Sequence, residues 1–318
     1  MNKHRAIAFG LGLVLLAFGA SNADAQTTGV PGIDKFLTLG PETVGAPMAV
    51  GICTRFLPPM GAAASRPGLG WANGTGGTPG TYTGILNRVA SYGTLVTAAN
   101  TTNSGSGNEV RQCMEELVRD RSDSNGRFAT AGHSQGGSGT LNAAIINAGG
   151  RMDPSGPPNP RVVVTCPVQL DGIFTAQSMS SSLRGTPTGP ALIMCGGADT
   201  LAPCTSTNNG DTKFMQATVP VTRISVVNAP HVGANSPTGA GGLYAALVTT
   251  CVEAALGNDA QASAALRPGG ATDNNVINRI ATRNFPAAQP QPDLAGALQV
   301  INAIIALLAA LGSLGTGS

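Results

Sequence analysis

The sequence predicts an α/β protein with a mostly parallel, doubly wound sheet and helices on both faces. Three observations predict it. Apolar runs rich in Val and Ile alternate with helical patterns along the chain. Several of these runs are continuous rather than alternating, as in strands covered on both faces. A Gly-x-Ser-x-Gly segment falls where one such run gives way to a helix.

The elements follow in order. Strands are predicted over 48–56, 68–72, 95–100, 127–131, 161–170, 191–195 and 223–228. Helices are predicted over 82–92, 108–119, 135–147, 211–217 and 242–256. Within 108–119, Val110, Cys113, Met114, Leu117 and Val118 recur at helical spacing, with Glu and Arg on the other side. Asn108 suits the N-cap, where its side-chain oxygen can accept an orphan N–H. Strands separated by helices of this length imply right-handed crossovers, and they put reacting groups at the carboxyl ends of strands.

The ends of the chain differ from its centre. Lys3, His4 and Arg5 precede an apolar run over 6–20, and Ala23-Asp24-Ala25 gives the small-x-small pattern of a signal-peptidase site. Residues 1–25 are therefore predicted to be a cleaved signal peptide, so that the protein is secreted, whether to the periplasm, the cell surface or the medium. Residues 26–285 are the predicted catalytic domain. Residues 286–318 are a Pro-rich linker, with Pro286, Pro290 and Pro292, and an apolar C-terminal helix. The stretch from Leu294 to Leu314 is long enough to span a bilayer, but no Lys or Arg flanks it. Docking on the catalytic domain or a partner, membrane or surface association, and disorder are the three readings.

Composition excludes several classes. The 318 residues carry 18 Lys+Arg against 16 Asp+Glu, a formal charge of +2, and only 11% are charged. Losing Lys3, Arg5 and Asp24 with the signal leaves +1. No basic excess exists to neutralise a phosphate backbone, so no nucleic-acid partner is expected. Hydrophobic residues at 42% argue against disorder. The six cysteines all follow the signal, and an even count in an exported chain suggests up to three disulfides in one of 15 connectivities. No CxxC or His/Cys ligand spacing is present, so no metal is expected.

Gly132-His133-Ser134-Gln135-Gly136-Gly137 has the residues of a nucleophile elbow. A sharp turn between strand and helix forces Ser134 into a strained conformation, and small neighbours make room for it. The hydroxyl then projects at the helix N-terminus, where the N–H of Gln135 faces a developing oxyanion. Ser134 needs a general base. There are three histidines. His4 leaves with the signal, and His133, adjacent to the nucleophile, points away from it as a structural residue. His231, in the loop after the last predicted strand, remains.

The acid that orients the base is Asp199, after the strand 191–195 and the turn Gly196-Gly197; Asp171 is the competitor. The order Ser…Asp…His is the one expected for this elbow. The second oxyanion N–H should come from the loop after the strand 68–72, from Thr75 first and Gly74 second. Trp71, the single Trp, lies beside that loop and either lines a substrate pocket or packs in the core. Cys195 and Cys204 bracket Asp199, as a disulfide pinning the acid loop or as buried thiols.

The segments Trp71-Ala72-Asn73-Gly74-Thr75-Gly76, Ala98-Ala99-Asn100-Thr101, Gly132 to Gly137 and Cys195-Gly196-Gly197-Ala198-Asp199 resemble the exported cutinase-like and polyester-hydrolase-like branch of the α/β-hydrolases, over roughly residues 48–256. The resemblance implies an α/β-hydrolase fold and a lidless serine carboxylesterase with no cofactor. By position it implies Ser134 as nucleophile, Asp199 as acid, His231 as base, and Thr75 and Gln135 as oxyanion donors. Polyester-degrading members usually carry Met after the serine and an aromatic clamp. Here Gln135 stands in that place, and aromatics are 4% of the chain.

The sequence thus predicts a secreted esterase acting on small-molecule or polymeric esters through an acyl-enzyme. Two alternatives accompany it, an acyltransferase on the same triad and a non-catalytic surface binding protein.

Overall fold

A computed structural model describes residues 26–61, 65–148, 163–170, 190–207 and 209–286. Three features predicted above lie outside these residues: the signal segment, Asp171 and the stretch 294–314.

The fold is mixed α/β. Its strands are β1 (Met48–Val50), β2 (Cys53–Phe56), β3 (Arg66–Ala72), β4 (Leu95–Ala99), β5 (Ser124–His133), β6 (Val163–Leu170), β7 (Ala191–Gly196), β8 (Val221–Val226) and β9 (Ile277–Arg283). Its helices are α1 (Pro31–Asp34), α2 (Thr83–Ser91), α3 (Asn108–Asp120), α4 (Gln135–Ala148), α5 (Gly210–Gln216), α6 (Ala240–Ala255) and α7 (Ala260–Ala265). Among the described residues the strands form one sheet in the order β1-β2-β4-β3-β5-β6-β7-β8-β9. The interior pairings, from β4–β3 through β7–β8, are parallel. The edges are antiparallel, at β1–β2, β2–β4 and β8–β9.

Side-chain alternation puts a core on each face of the sheet. Leu69, Trp71, Val96, Ala98, Leu192, Met194, Ile224 and Val226 point to one face, where α2 and α6 bury Leu86, Val89, Leu247 and Val248 against them. Leu95, Ala99 and Phe128 point to the other, under Val110, Met114 and Leu117 of α3. Ile193 and Cys195 share that second direction and meet Phe214 of α5. Both faces are covered, which is why these strands read as continuous apolar runs.

Two elements differ from the sequence expectation. The predicted strand 48–56 is a hairpin. Gly51 takes φ +55°, so the chain turns at Gly51-Ile52 and pairs Val50 with Cys53. β9 is a strand that the sequence did not suggest. Its Asn and Arg residues mask any apolar run, and Arg279 breaks the ladder at φ +48°. Such a charged, irregular edge is a common protection against further strand pairing. Buried Arg223 ties this edge down, donating to Asp211 Oδ1 and to the Arg279 carbonyl, each at 2.8 Å.

Cys53 is bonded to Cys113 and Cys195 to Cys204. Cys251 is disulfide-bonded as well. The buried-thiol reading of Cys195 and Cys204 is thereby overturned. The expected membrane association through a C-terminal apolar helix is also withdrawn. No helix among the described residues is long and apolar enough to cross a membrane, and the stretch that carried the expectation lies outside them.

Candidate active site

Ser134 sits between the last residue of β5 and the first of α4, with φ +55°. A serine in the left-handed region is held there by its surroundings. The surroundings are tight: a Cβ on Gly132 would overlap the Gly136 carbonyl, and one on Gly136 would overlap the Ala72 carbonyl. These two glycines let the elbow close against the end of β3. Gly139, one helical turn further on, faces the Ser104 carbonyl just as closely.

The three residues of the predicted triad meet. His231 Nε2 lies 2.9 Å from Ser134 Oγ, and His231 Nδ1 lies 2.8 Å from Asp199 Oδ2. All three are buried. The carboxylate oxygen can only accept, so Nδ1 carries the proton and Nε2 offers its lone pair to the serine hydroxyl. Asp199 Oδ1 accepts from the N–H groups of Leu201 and Ala202 at 2.9 and 2.8 Å. Burial alone would raise the Asp199 pKa, but hydrogen bonds from His231 and from these backbone groups outweigh it and hold the carboxyl below its ordinary value.

The backbone brings Asp199 and His231 together. Gly197 N–H donates to the Val226 carbonyl at 2.8 Å, and Ala198 N–H to the Ala229 carbonyl at 3.0 Å. The loop after β7 is thus fastened to the loop after β8. Asn228 makes that second turn at φ +57°, and His231 opens the short 3-10 turn His231–Asn235.

The loop after β3 borders Ser134. A Cβ on Gly74 would stand 3.2 Å from Ser134 Cβ. Asn73 anchors the loop, its side-chain amide donating to the Thr101 carbonyl at 3.0 Å and also to the Ala99 carbonyl, while its N–H donates to Ser104 Oγ at 3.2 Å. This clamp joins the two motifs 71–76 and 98–101. Gly74 N–H is committed to Tyr82 Oη at 3.0 Å, so it is not the spare oxyanion donor. Among the described residues no acceptor takes the N–H of Thr75 or that of Gln135. Gln135 is itself buried. Its side-chain amide donates to Asn103 Oδ1, and its Oε1 has no partner among the described residues.

Trp71 does not line a cleft. It is fully buried in the core, 4.9 Å from the Tyr82 ring between centroids, so the core-packing reading replaces the substrate-binding one. His133 is buried beside the elbow, as expected, but it is not merely packed. Its Nε2 lies 2.7 Å from the His231 carbonyl and its Nδ1 3.0 Å from Tyr82 Oη. Burial, aided by the nearby His231 ring and opposed by the bond to the His231 carbonyl, pushes its pKa down to about 4. Sequence reasoning missed Asn73 and Tyr82. Asn73 had a signal, a polar residue closing an apolar strand. Tyr82 had none, since nothing local ties residue 82 to residue 133.

Two other features lie apart from these contacts. Cys195, Cys204 and Asp211 place donor atoms together, but the disulfide consumes both sulfurs. A cavity of about 750 Å³ opens at the start of β7 and β8, lined by Pro190, Pro220, Thr222, Leu266, Arg267 and Phe285 among others. It includes none of the triad residues.

No family model matches the chain, and no curated protein does.

Proposed function

We propose that this chain is a serine hydrolase of the α/β-hydrolase fold that cleaves carboxylic esters. The observation that carries the reading is the pair of contacts from one imidazole, 2.9 Å to Ser134 Oγ and 2.8 Å to Asp199 Oδ2, with Ser134 held at φ +55°. The positions support the fold: nucleophile after β5, acid after β7, base after β8, and a Gly-rich loop after β3.

In this reading Ser134 Oγ attacks the ester carbonyl carbon and its proton passes to His231 Nε2. The N–H groups of Thr75 and Gln135 hold the oxyanion, the second at the N-terminus of α4, where the helix dipole favours negative charge. His231 then protonates the departing alcohol. It next deprotonates a water, which attacks the acyl carbon; the bond from that carbon to Ser134 Oγ breaks, His231 returns the proton to Oγ, and the acid is released. Asp199 keeps Nδ1–H in place and stabilises the imidazolium.

A neutral, apolar substrate suits the surroundings. The charged fraction is 11%, and Leu201 and Val232, beside the acid and the base, are 69% and 60% exposed. Export is supported by the disulfides, which persist in oxidising compartments.

The test is Ser134→Ala. Turnover of a p-nitrophenyl ester should fall by about 10⁴-fold or more, and labelling by a fluorophosphonate probe should vanish. Wild-type turnover in this variant overturns the proposal.

A further inference from the structure

Behind the triad, four groups form a single hydrogen-bonded line. It runs from the Gly74 N–H to Tyr82 Oη at 3.0 Å, from Tyr82 Oη to His133 Nδ1 at 3.0 Å, and from His133 Nε2 to the His231 carbonyl at 2.7 Å. Elementary donor and acceptor rules fix the direction of every bond. A carbonyl only accepts, so His133 Nε2 carries the proton. A neutral imidazole then has a bare Nδ1, so the Tyr82 hydroxyl donates to it. The Tyr82 oxygen is left to accept from Gly74. No donor along the line is left over.

The line connects elements that chemistry needs in register. Gly74 belongs to the loop after β3 that borders Ser134, Tyr82 to the 3-10 turn Pro79–Tyr82 before α2, His133 to the end of β5, and His231 to the loop after β8. Tyr82 and His133 are buried, at 2% and 3% exposure. Their rings and that of His231 pack in sequence at tilted angles, with centroids 5.6 Å apart from Tyr82 to His133 and 4.8 Å from His133 to His231. A Cβ on Gly74 would come within 2.9 Å of Tyr82 Oη and 3.1 Å of His133 Nδ1, so only glycine lets the loop reach this line. The base sits on a loop, and its own carbonyl is gripped by the residue next to the nucleophile.

We propose that Tyr82 and His133 are positioning residues of the esterase site. They hold the His231 imidazole and the Gly74-Thr75 oxyanion loop in a single arrangement relative to Ser134. Neither touches the reacting atoms; both act through the groups that do. This inference rests on the serine-esterase reading above.

The consequence is kinetic. Displacing a catalytic group by about 1 Å costs on the order of 10²-fold in rate. Tyr82→Phe keeps the ring and removes the hydroxyl that serves both halves of the line. We expect kcat to fall about 10- to 100-fold with KM within about twofold of wild type, the split that marks loss of an interaction realised only in the transition state. His133→Phe should do the same. The double variant should be no slower than the slower single variant, because residues acting as one unit do not add.

His133→Gln keeps an amide donor near the imidazole Nε2 position and should recover part of the kcat lost in His133→Phe. It also keeps the question open if either Phe variant fails to fold. The assay is p-nitrophenyl ester turnover by the full chain, with Ser134→Ala alongside and circular dichroism on each variant. Wild-type kcat in folded Tyr82→Phe overturns the proposal. So do additive losses in the double variant, or a His133→Gln variant no better than His133→Phe. Turnover surviving in Ser134→Ala overturns the esterase reading instead, and the two failures are thereby separate.

Discussion

His133 Nε2 donates a hydrogen bond to the backbone carbonyl of His231 at 2.7 Å, so the residue preceding Ser134 holds the main chain of the residue whose ring contacts Ser134. The bond on the other side of the ring, from the Tyr82 hydroxyl to Nδ1, needs that nitrogen to be without a proton. The His133 pKa of about 4, against 6.5 ordinarily, keeps the ring neutral at pH 7.

That depression has a cost in stability with a definite sign. The unfolded chain takes up a proton on His133 near pH 6.5, while the folded chain resists until about pH 4. Stability is therefore lost as pH falls through that window, by up to about 3 kcal/mol for this one group. Urea unfolding at pH 7 and pH 4.5 should show a larger loss for wild type than for His133→Gln. Parallel losses in the two proteins would rule this out.

Asp199 fixes which nitrogen of His231 faces the serine. Replacing it by Asn keeps the size but lets the amide donate to Nδ1. The ring then turns its protonated Nε2 toward Ser134, where it is no longer a base. We expect kcat on a p-nitrophenyl ester to fall by about 10⁴-fold, with the protein still folded. Asp171→Asn should change kcat little; a larger loss there than at Asp199 would move the acid.

Gly136 lies where β3, the elbow and α4 meet. Its missing side chain is occupied by the Ala72 carbonyl, with the Asn73 carbonyl 2.7 Å away. Backbone cannot yield as a flexible side chain can, so Gly136→Ala should destabilise the fold by about 3 kcal/mol or more and abolish turnover. Gly80→Ala is the control, because its nearest neighbour, Thr78 Oγ1, is at an ordinary 3.6 Å. Chemical denaturation of the two variants separates them. Equal stability would show that the elbow has slack.

The Cys195–Cys204 bond closes the loop that carries Asp199, with its Cα atoms 5.8 Å apart. Removing both sulfurs as alanines should lower stability by about 2–3 kcal/mol through the freed loop, and lower kcat because the acid is less firmly held. The Cys53–Cys113 bond links β2 to α3, remote in sequence from the triad. Its removal should lower stability while leaving kcat near wild type. Unchanged kcat in the Cys195/Cys204 variant would mean that the backbone bonds of Gly197 and Ala198 suffice.

Much of the site was legible because its parts are local. The elbow is six consecutive residues whose glycines and flanking strand and helix constrain one another over a single turn. Elimination among three histidines needed no geometry. The oxyanion loop was legible only as far as its glycines. The sequence placed Thr75 first and Gly74 second, and it is the hydroxyl of Tyr82, eight residues on, that takes the Gly74 N–H. Trp71 could not be placed either. β3 is buried on both faces, so its apolar run gives no period from which to tell the core face from a cleft. A different limit hid β9, whose Asn278 and two arginines resemble a loop until β8 supplies its hydrogen-bond partners.

By itself the sequence determined the alternation of strands and helices, the strained serine, the order Ser, Asp, His and the near-neutral charge. These follow from short-range sterics and composition, which are written in neighbouring residues. Only the tertiary structure decided that Asp199 and Ser134 meet at one imidazole, that Cys195 pairs with Cys204, that Trp71 faces inward, and that Tyr82 and His133 stand behind the base. The contacts among Ser134, Asp199, His231, Tyr82 and His133 bring together groups 32, 51, 97 and 98 residues apart. Packing of both sheet faces fixes such distances, and no local pattern records them.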